Sequence, residues 1–321
     1  MKNLNRRAAL AASLAFAAGG ARAETFPSKP IRFLVPYPVG GIVDIVARAV
    51  AEPLAAELGQ PIVVDPRPGA NSTLATAMIP QAPADGYSWV IATIAHVVAP
   101  HLQPVSYDPL KDFQGAALVA VATSVATVNA SLPIYTLKEL VEYGKANPGK
   151  LNYLNPGNGT GGHLMPEQLK VKYGIDITSI SYKGLPPGVQ DLLGGRLELG
   201  VISTSLAAHH VKAGRLKAIA LAGLKRHDDL PDVPTLAESG VPGYEASIWL
   251  ALLAPAGTPA ELIHRYHTEL SRGFASPESQ KALFDAGVSP AILSPAETGD
   301  LMVKDMQRWS KVIRDIGIKP D

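Results

Sequence analysis

Twice along this chain an apolar strand runs through a glycine-rich loop into an amphipathic helix. The first unit is Ile31 to Val35, the loop Pro36-Tyr37-Pro38-Val39-Gly40-Gly41-Ile42-Val43-Asp44, then Ile45, Val46, Ala49, Val50, Leu54 and Leu58 at helical spacing. The second is Leu151 to Leu154, the loop Asn155-Pro156-Gly157-Asn158-Gly159-Thr160-Gly161-Gly162-His163, and a helix reaching Tyr173 with Pro166 in its first turn. A strand that enters a helix this way aims backbone N–H groups and the positive end of the helix dipole at one point. No charged side chain is needed to hold an anion there. Two such loops predict a cleft for a small carboxylate or phosphate.

The rest of the chain alternates in the same way. Strand patterns fall at 61–65, 87–92, 177–181, 197–202, 216–221 and 249–254, with an alanine- and valine-rich run at 116–129. Helices are predicted at 74–81, at 136–147 behind the capping box Thr136 to Glu139, at 206–213, and behind Pro186-Pro187. Thr258, Ser276 and Ser294 open three more, and residues 226–248 read as a long connection. Pro53 interrupts the first helix and predicts a lost hydrogen bond there. Repeated βα units imply parallel sheets wrapped by helices, with ligands beyond the carboxyl ends of the strands. The two loops, residues 93–96, 182–184 and 203–205, and the start of the 249–254 strand all lie near such ends.

The N-terminus reads as a secretory signal over 1–23: basic Lys2, Arg6 and Arg7, an apolar run from Ala8 to Ala18, and Ala21-Arg22-Ala23 before the cleavage point. The general export route is favoured over the twin-arginine one. There is no cysteine, which excludes disulfides and a lipid on a Cys, so a free periplasmic protein is expected. The formal charge of +1 includes four basic residues in that leader, so the remaining chain carries −3. No basic patch with aromatics is present, which excludes nucleic acid as the expected partner.

The order of motifs resembles the Bug family, the extracytoplasmic solute receptors of tripartite tricarboxylate transporters. The resemblance rests on LVPYPVGGIVDIVAR, LGQPIVVDPRPGAN, PADGYSWVIAT, YDPLKDF, NPGKLNYLNPGNGTGGHL, SYKGLPPGVQDLLGGRLEL, VKAGRLKAIAL, LPDVPTLAESGVPGYEA and APAGTP in sequence. It implies an α/β, two-domain periplasmic-binding-protein fold, type II-like, that closes on its ligand like a flytrap. One domain would comprise 24–125 plus 249–321 and the other 126–248. It further implies a monomer that hands a small carboxylate to membrane permease subunits without a cofactor. In the family the loops matching 37–44 and 155–163 hold a ligand carboxylate through backbone N–H groups and waters. Two departures make the expected cleft less polar. Ile42 and Val43 stand where the family commonly has a Ser or Thr pair, and Ile202 stands where many members carry Asp. An aromatic or aliphatic carboxylate is therefore expected ahead of citrate, aspartate or glutamate.

The candidate ligand-binding residues are Tyr37, Val39, Gly40, Gly41, Ile42, Val43, Thr93, His96, Asn158, Gly159, Thr160, His163, Lys183, Ser203 and Trp249. Gly40 and Gly41 supply close backbone approach, and Tyr37 and Trp249 aromatic walls. Lys183 either neutralises a carboxylate or is a solvated loop residue, and Asn158 and Thr160 either cap a helix or touch the ligand. Asp44 is assigned to bracing the first loop, since a carboxylate would repel an anion. No metal ligand set is recognised, and His209-His210 point in different directions on a helix. Two competing functions remain: a hydrolase or isomerase using His163 with Ser203 or Thr160, and a sensor presenting its ligand to a signalling kinase. No G-x-S-x-G elbow supports the enzyme.

Overall fold

The computed structural model describes residues 26–223, 225–242, 248–285 and 288–317. The proposed signal at 1–23 lies outside them. Among the described residues no helix is long and apolar enough to cross a membrane.

Two sheets carry the fold. The strands are β1 (Ile31–Val35), β2 (Ile62–Pro66), β3 (Ser88–Thr93), β4 (Phe113–Ala122), β5 (Ser124–Asn129), β6 (Leu151–Asn155), β7 (Ile177–Ser181), β8 (Leu199–Ser203), β9 (Leu216–Leu221), β10 (Ile248–Pro255) and β11 (Ser289–Leu293). One sheet has the order β11-β4-β10-β3-β1-β2, the other β7-β6-β8-β5-β9. Each contains a parallel trio, β2-β1-β3 and β7-β6-β8. In each, an antiparallel strand, β10 or β5, joins the trio to a further antiparallel neighbour, β4 or β9. The lobes thus repeat one plan, with β1 and β6 as the middle strands of equivalent trios.

The principal helices are α1 (Ile42–Leu58), α2 (Leu137–Ala146), α3 (Gly161–Tyr173), α4 (Leu185–Leu193), α5 (Thr204–Lys212), α6 (Ala260–Gly273), α7 (Pro277–Asp285) and α8 (Pro295–Ile316). α1 buries Val43, Val46, Ala47, Val50, Ala51, Leu54 and Leu58, one stripe at 3.6-residue spacing, in a core with Phe33, Trp89 and Leu252. Each fully buried Val or Leu contributes about 1.5–3 kcal/mol. α1 continues through Pro53, and the proline packs on Gly273, where a Cβ would come within 2.8 Å of the Pro53 Cβ. The capping boxes of Thr136 and Ser294 form with Glu139 and Glu297. Ser276 Oγ accepts from the Ser279 N–H at 3.1 Å.

Four expectations need correction. Thr258 caps nothing: its hydroxyl donates to the Pro255 carbonyl at 2.8 Å, and Pro259 is the N-cap of α6. The run 116–129 is two strands in different sheets. They part at Thr123, whose carbonyl accepts the Thr204 N–H at 2.9 Å and hydroxyl at 2.7 Å. The change of sheet therefore precedes the expected boundary at 125/126, which would cut β5. The helix expected at 74–81 shrinks to Thr73–Thr76, and the chain passes into tighter turns before Pro80, with the Met78 N–H on the Ala75 carbonyl and the Ile79 N–H on that of Thr76, both at 3.1 Å. The stretch that follows Thr258 reads in sequence as helical to its end, yet it holds a strand after α7. β11 pairs with β4, and Pro290, which has no N–H, is tolerated on this edge strand.

Candidate functional site

The first loop leaves β1 and turns at Gly40, whose φ of +80° is the left-handed conformation that glycine adopts without steric penalty. The Gly41 N–H donates to the Pro38 carbonyl at 3.2 Å. The Gly40 N–H donates to Asp44 Oδ2 at 3.1 Å. Asp44 is buried and also accepts two bonds from Arg48, at 3.1 and 3.0 Å. Burial alone would raise its pKa, but Arg48 and the Gly40 N–H prevail and hold it below the ordinary carboxylate range. Asp44 thus braces the loop as expected. The N–H groups of Gly40 and Gly41 are thus engaged within the loop. Ile42 and Val43 begin α1, where backbone N–H groups have no intrahelical acceptor.

The second loop repeats the device 119 positions on: Gly159 for Gly40, Thr160 for Gly41, Gly157 for Pro38, and His163 for Asp44. Gly159 has φ +82° and donates its N–H to His163 Nδ1 at 3.2 Å. The Thr160 N–H and hydroxyl both reach the Gly157 carbonyl, at 3.2 and 2.7 Å, so this side chain does not cap α3. The side chain of Asn155 fixes the rest, accepting from the Gly157 N–H at 2.9 Å and donating to Asn158 Oδ1 at 2.9 Å and Ser179 Oγ at 3.1 Å. His163 is buried, and its Nδ1 serves as a backbone acceptor.

Two further helices point at the same place. Gly184 is the N-cap of α4 and Ser203 that of α5. All four N-cap residues, Gly41, Thr160, Gly184 and Ser203, line one cavity of about 80 Å³ between the lobes. None of these helices has a side-chain cap bond. No lining residue is charged. The walls are largely apolar, with Ile42, Val43, Ile94, Leu185, Val201, Ile202 and Ile248. Tyr37 and Thr93 add hydroxyls 3.1 Å apart, and burial pushes the Tyr37 phenol pKa up. A second chamber of about 390 Å³ shares Tyr37, Pro38, Pro156, Thr160 and Gly184 with the first and adds Asn71, Ser72, Asn158, Tyr182 and Lys183. An outer recess of about 520 Å³ holds Gly40, Ile45, Val189, His209 and His210. Among the described residues no cluster suited to a metal is present.

Tyr37, Gly40, Gly41, Ile42, Val43, Thr93, Asn158, Thr160, Lys183 and Ser203 therefore lie on the cleft. Five expected residues do not line it. Val39 points outward, 67% exposed. Gly159 and His163 sit behind the second loop, where a Cβ on Gly159 would come within 2.8 Å of Val98. His96 is buried against Tyr107 and Phe113, with Nε2 on the Pro109 carbonyl at 2.9 Å. Burial pushes its pKa down to about 4, against the opposing Pro109 bond. Trp249 is buried, and its indole N–H donates to Asp305 of α8 at 2.7 Å. Successive strand residues face opposite ways, so Ile248 takes the cleft position instead. Gly161, Gly162, Ile248, Asn71 and Ser72 are cleft residues that the candidate set lacks. The glycines were visible in the second loop, but nothing in the sequence pattern marks the other three.

Two α/β lobes of one plan, with a cleft of helix N-termini between them, define a periplasmic-binding-protein fold. The chain belongs to the tripartite tricarboxylate transporter family of receptors, whose sequence profile ("Tripartite tricarboxylate transporter family receptor") matches residues 46–318. It is 33% identical over 300 residues to protein BugT of Bordetella pertussis, covering 92% of each chain. The solved structure of periplasmic binding protein BugD is 31% identical with a TM-score of 0.85, over 92% of this chain and 100% of that one. R. palustris Rpa4515, solved with adipate, is 32% identical with a TM-score of 0.85 and the same coverage. These neighbours are binding proteins.

Proposed function

We propose that this protein is a periplasmic receptor that captures a small carboxylate between its lobes and delivers it to the permease of a tripartite tricarboxylate transporter. The observation that carries the reading is the convergence of four helix N-termini without side-chain caps on one cavity that has no charged wall. Such termini hold an anion through backbone N–H groups and dipoles. The apolar walls favour a hydrophobic frame, since burial contributes roughly 25 cal/mol per Å². A ligand ammonium would find no acid there, and an unpaired buried charge is costly. Residues 26–122 with 248–317 form one lobe in this reading, and 124–221 the other. The first 23 residues direct export, and the mature protein works as a monomer. In this reading His163 is a brace of the second loop rather than a general base, since its Nδ1 accepts the Gly159 N–H.

A thermal-shift series with citrate, glutamate, adipate and an aromatic dicarboxylate tests this. A ligand at a hundredfold excess over its Kd adds about 2.7 kcal/mol of stability. Stabilisation by adipate or the aromatic diacid, with the ligand recovered unchanged by mass spectrometry, is expected. Stabilisation by citrate or glutamate alone overturns the assignment of frame, and conversion lost in His163→Ala overturns the receptor.

A further inference from the structure

The chain passes from one sheet to the other with no slack. Ala122, the last residue of β4, pairs with Ile248 of β10, and Ser124, the first of β5, pairs with Ser203 of β8. Thr123 is the single residue between the two ladders. Ser203 and Ile248 both line the inner cavity, one from each lobe. The two neighbours of Thr123 thus hold opposite walls of the cavity, and a bend at Thr123 changes how those walls face each other. Gly161, the first residue of α3, rests on the Ile248 wall, since a Cβ there would lie 3.6 Å from Ile248 Cγ1.

Thr123 is itself gripped by the second sheet. Its carbonyl accepts twice from Thr204, the first residue of α5: from the N–H at 2.9 Å and from the hydroxyl at 2.7 Å. The N–H bond continues the β5–β8 ladder one step past Ser203 and uses a helix N–H that has no intrahelical acceptor. Together the two bonds use both lone pairs of that carbonyl oxygen. Thr204 is 1% exposed, so solvent does not compete for them. On the other flank the Ala222 N–H donates to the Ser124 carbonyl at 2.7 Å, and a Cβ on Gly223 would come within 2.9 Å of Thr123 Cγ2. The Thr123 carbonyl therefore moves with β8 and α5. The peptide from Ala122 to Thr123 is planar, so the rotations left at this crossing are ψ of Ala122 and φ of Thr123.

We propose that Thr204 is a positioning residue: its hydroxyl confines bending between the lobes to the Ala122–Thr123 peptide, so that the cavity end of α5 turns with its sheet as one body. This deepens the receptor reading above, on which only its ligand arm rests. Without the hydroxyl the carbonyl keeps the Thr204 N–H but loses the second bond, and Thr123 gains a further rotation, its ψ. The lobes then meet at a spread of angles, and Ser203 no longer arrives opposite Ile248 in one position.

The chain has no cysteine, so two introduced ones take spin labels uniquely. Glu57→Cys in α1 and Lys138→Cys in α2 place one label on an exposed position of each lobe. Pulsed electron-spin resonance then reads the distance distribution between lobes in the mature chain, alone and with adipate or benzene-1,4-dicarboxylate. Valine has the shape of threonine without the hydroxyl, and serine restores the hydroxyl without the methyl. Thr204→Val is expected to widen the distribution about twofold, whereas Thr204→Ser keeps the wild-type width. Gly223→Ala, which pushes on Thr123 from the other flank, is expected to shift the mean distance. Stopped-flow dissociation of the probe should quicken severalfold in Thr204→Val, the scale of one buried hydrogen bond, and not in Thr204→Ser. A variant that is merely less stable unfolds at lower denaturant but keeps one spacing while folded. A Thr204→Val distribution as narrow as the wild type's, or a Thr204→Ser distribution as wide as that of Thr204→Val, overturns the inference and leaves the receptor reading standing. Failure of both probes to bind the wild type removes the receptor reading, and the distributions without probe still decide the role of Thr204.

Discussion

The loops after β1 and β6 are the same backbone device held by different side chains. In each, a left-handed glycine donates its N–H to the side chain four residues on, and the following residue turns back on a carbonyl three residues behind. Asp44 does this work in the first loop and His163 in the second. Asp44 brings a charge to the loop and pairs with Arg48. His163 supplies a ring nitrogen, Nδ1, as the acceptor. The first turns differ too. The first loop presents Ile42 and Val43, with apolar side chains, and the second presents Gly161 and Gly162, bare backbone. The same fold element therefore offers a wall on one side and close backbone approach on the other.

Asp44→Ala should have the largest effect on stability. It leaves the Gly40 N–H without its acceptor and Arg48 without its partner, a loss of about 2–3 kcal/mol. His163→Ala removes the acceptor for Gly159, and should cost about 1–2 kcal/mol, including the volume lost. Chemical denaturation of both variants compares the braces directly. Equal losses would mean that the charge of Asp44 contributes nothing beyond its shape.

Gly162→Ala comes next and separates the loops by binding. A Cβ there would lie 2.7 Å from Pro156 Cδ, so the second loop must shift, at about 1–3 kcal/mol. Gly41 has an ordinary φ of −76°, and its Cβ would meet only the Pro38 carbonyl at 3.3 Å. Gly41→Ala should therefore weaken carboxylate binding less than Gly162→Ala, by titration calorimetry. The reverse order would place the anion against the first loop.

Both loops were legible in the sequence because glycine clusters between a strand and a helix leave few alternatives. The cleft followed from the same pattern, since both loops lie at the carboxyl ends of strands, and the resemblance supplied the two-lobed fold around it. What escaped was phase. Ile248 to Pro255 is apolar throughout, so no polar residue marks which face looks at the cleft, and Trp249 was assigned to the wrong one. Residues 113–129 likewise hide the crossing at Thr123 inside a continuous alanine and valine run. Asn71 escaped because its conformation is imposed by Gln103, 32 residues away. His96 escaped because a histidine after a strand looks the same in sequence whether it faces ligand or packs between Tyr107 and Phe113.

Arg48→Gln should have the smallest effect and isolates the charge. Arg48 is half exposed, 53% at the side chain, so solvent screens its pair with Asp44 and less than about 1 kcal/mol is at stake at neutral pH. The sign of its pH dependence is nevertheless fixed. Asp44 has a folded pKa below its unfolded value, so its contribution is complete above the unfolded pKa and is lost as pH falls through the folded one. Removing Arg48 takes away part of what lowers the folded pKa, so the contribution is lost at a higher pH than in the wild type. Below the folded pKa Asp44 is protonated in both proteins, and the gap between them closes. Melting curves from neutral pH to about pH 3, across the ordinary Asp value near 3.9, should show that convergence. A deficit in Arg48→Gln that is constant across the window would show that Asp44 holds Gly40 without help from its partner, and the two loops would then differ only in the side chains they present to the cleft.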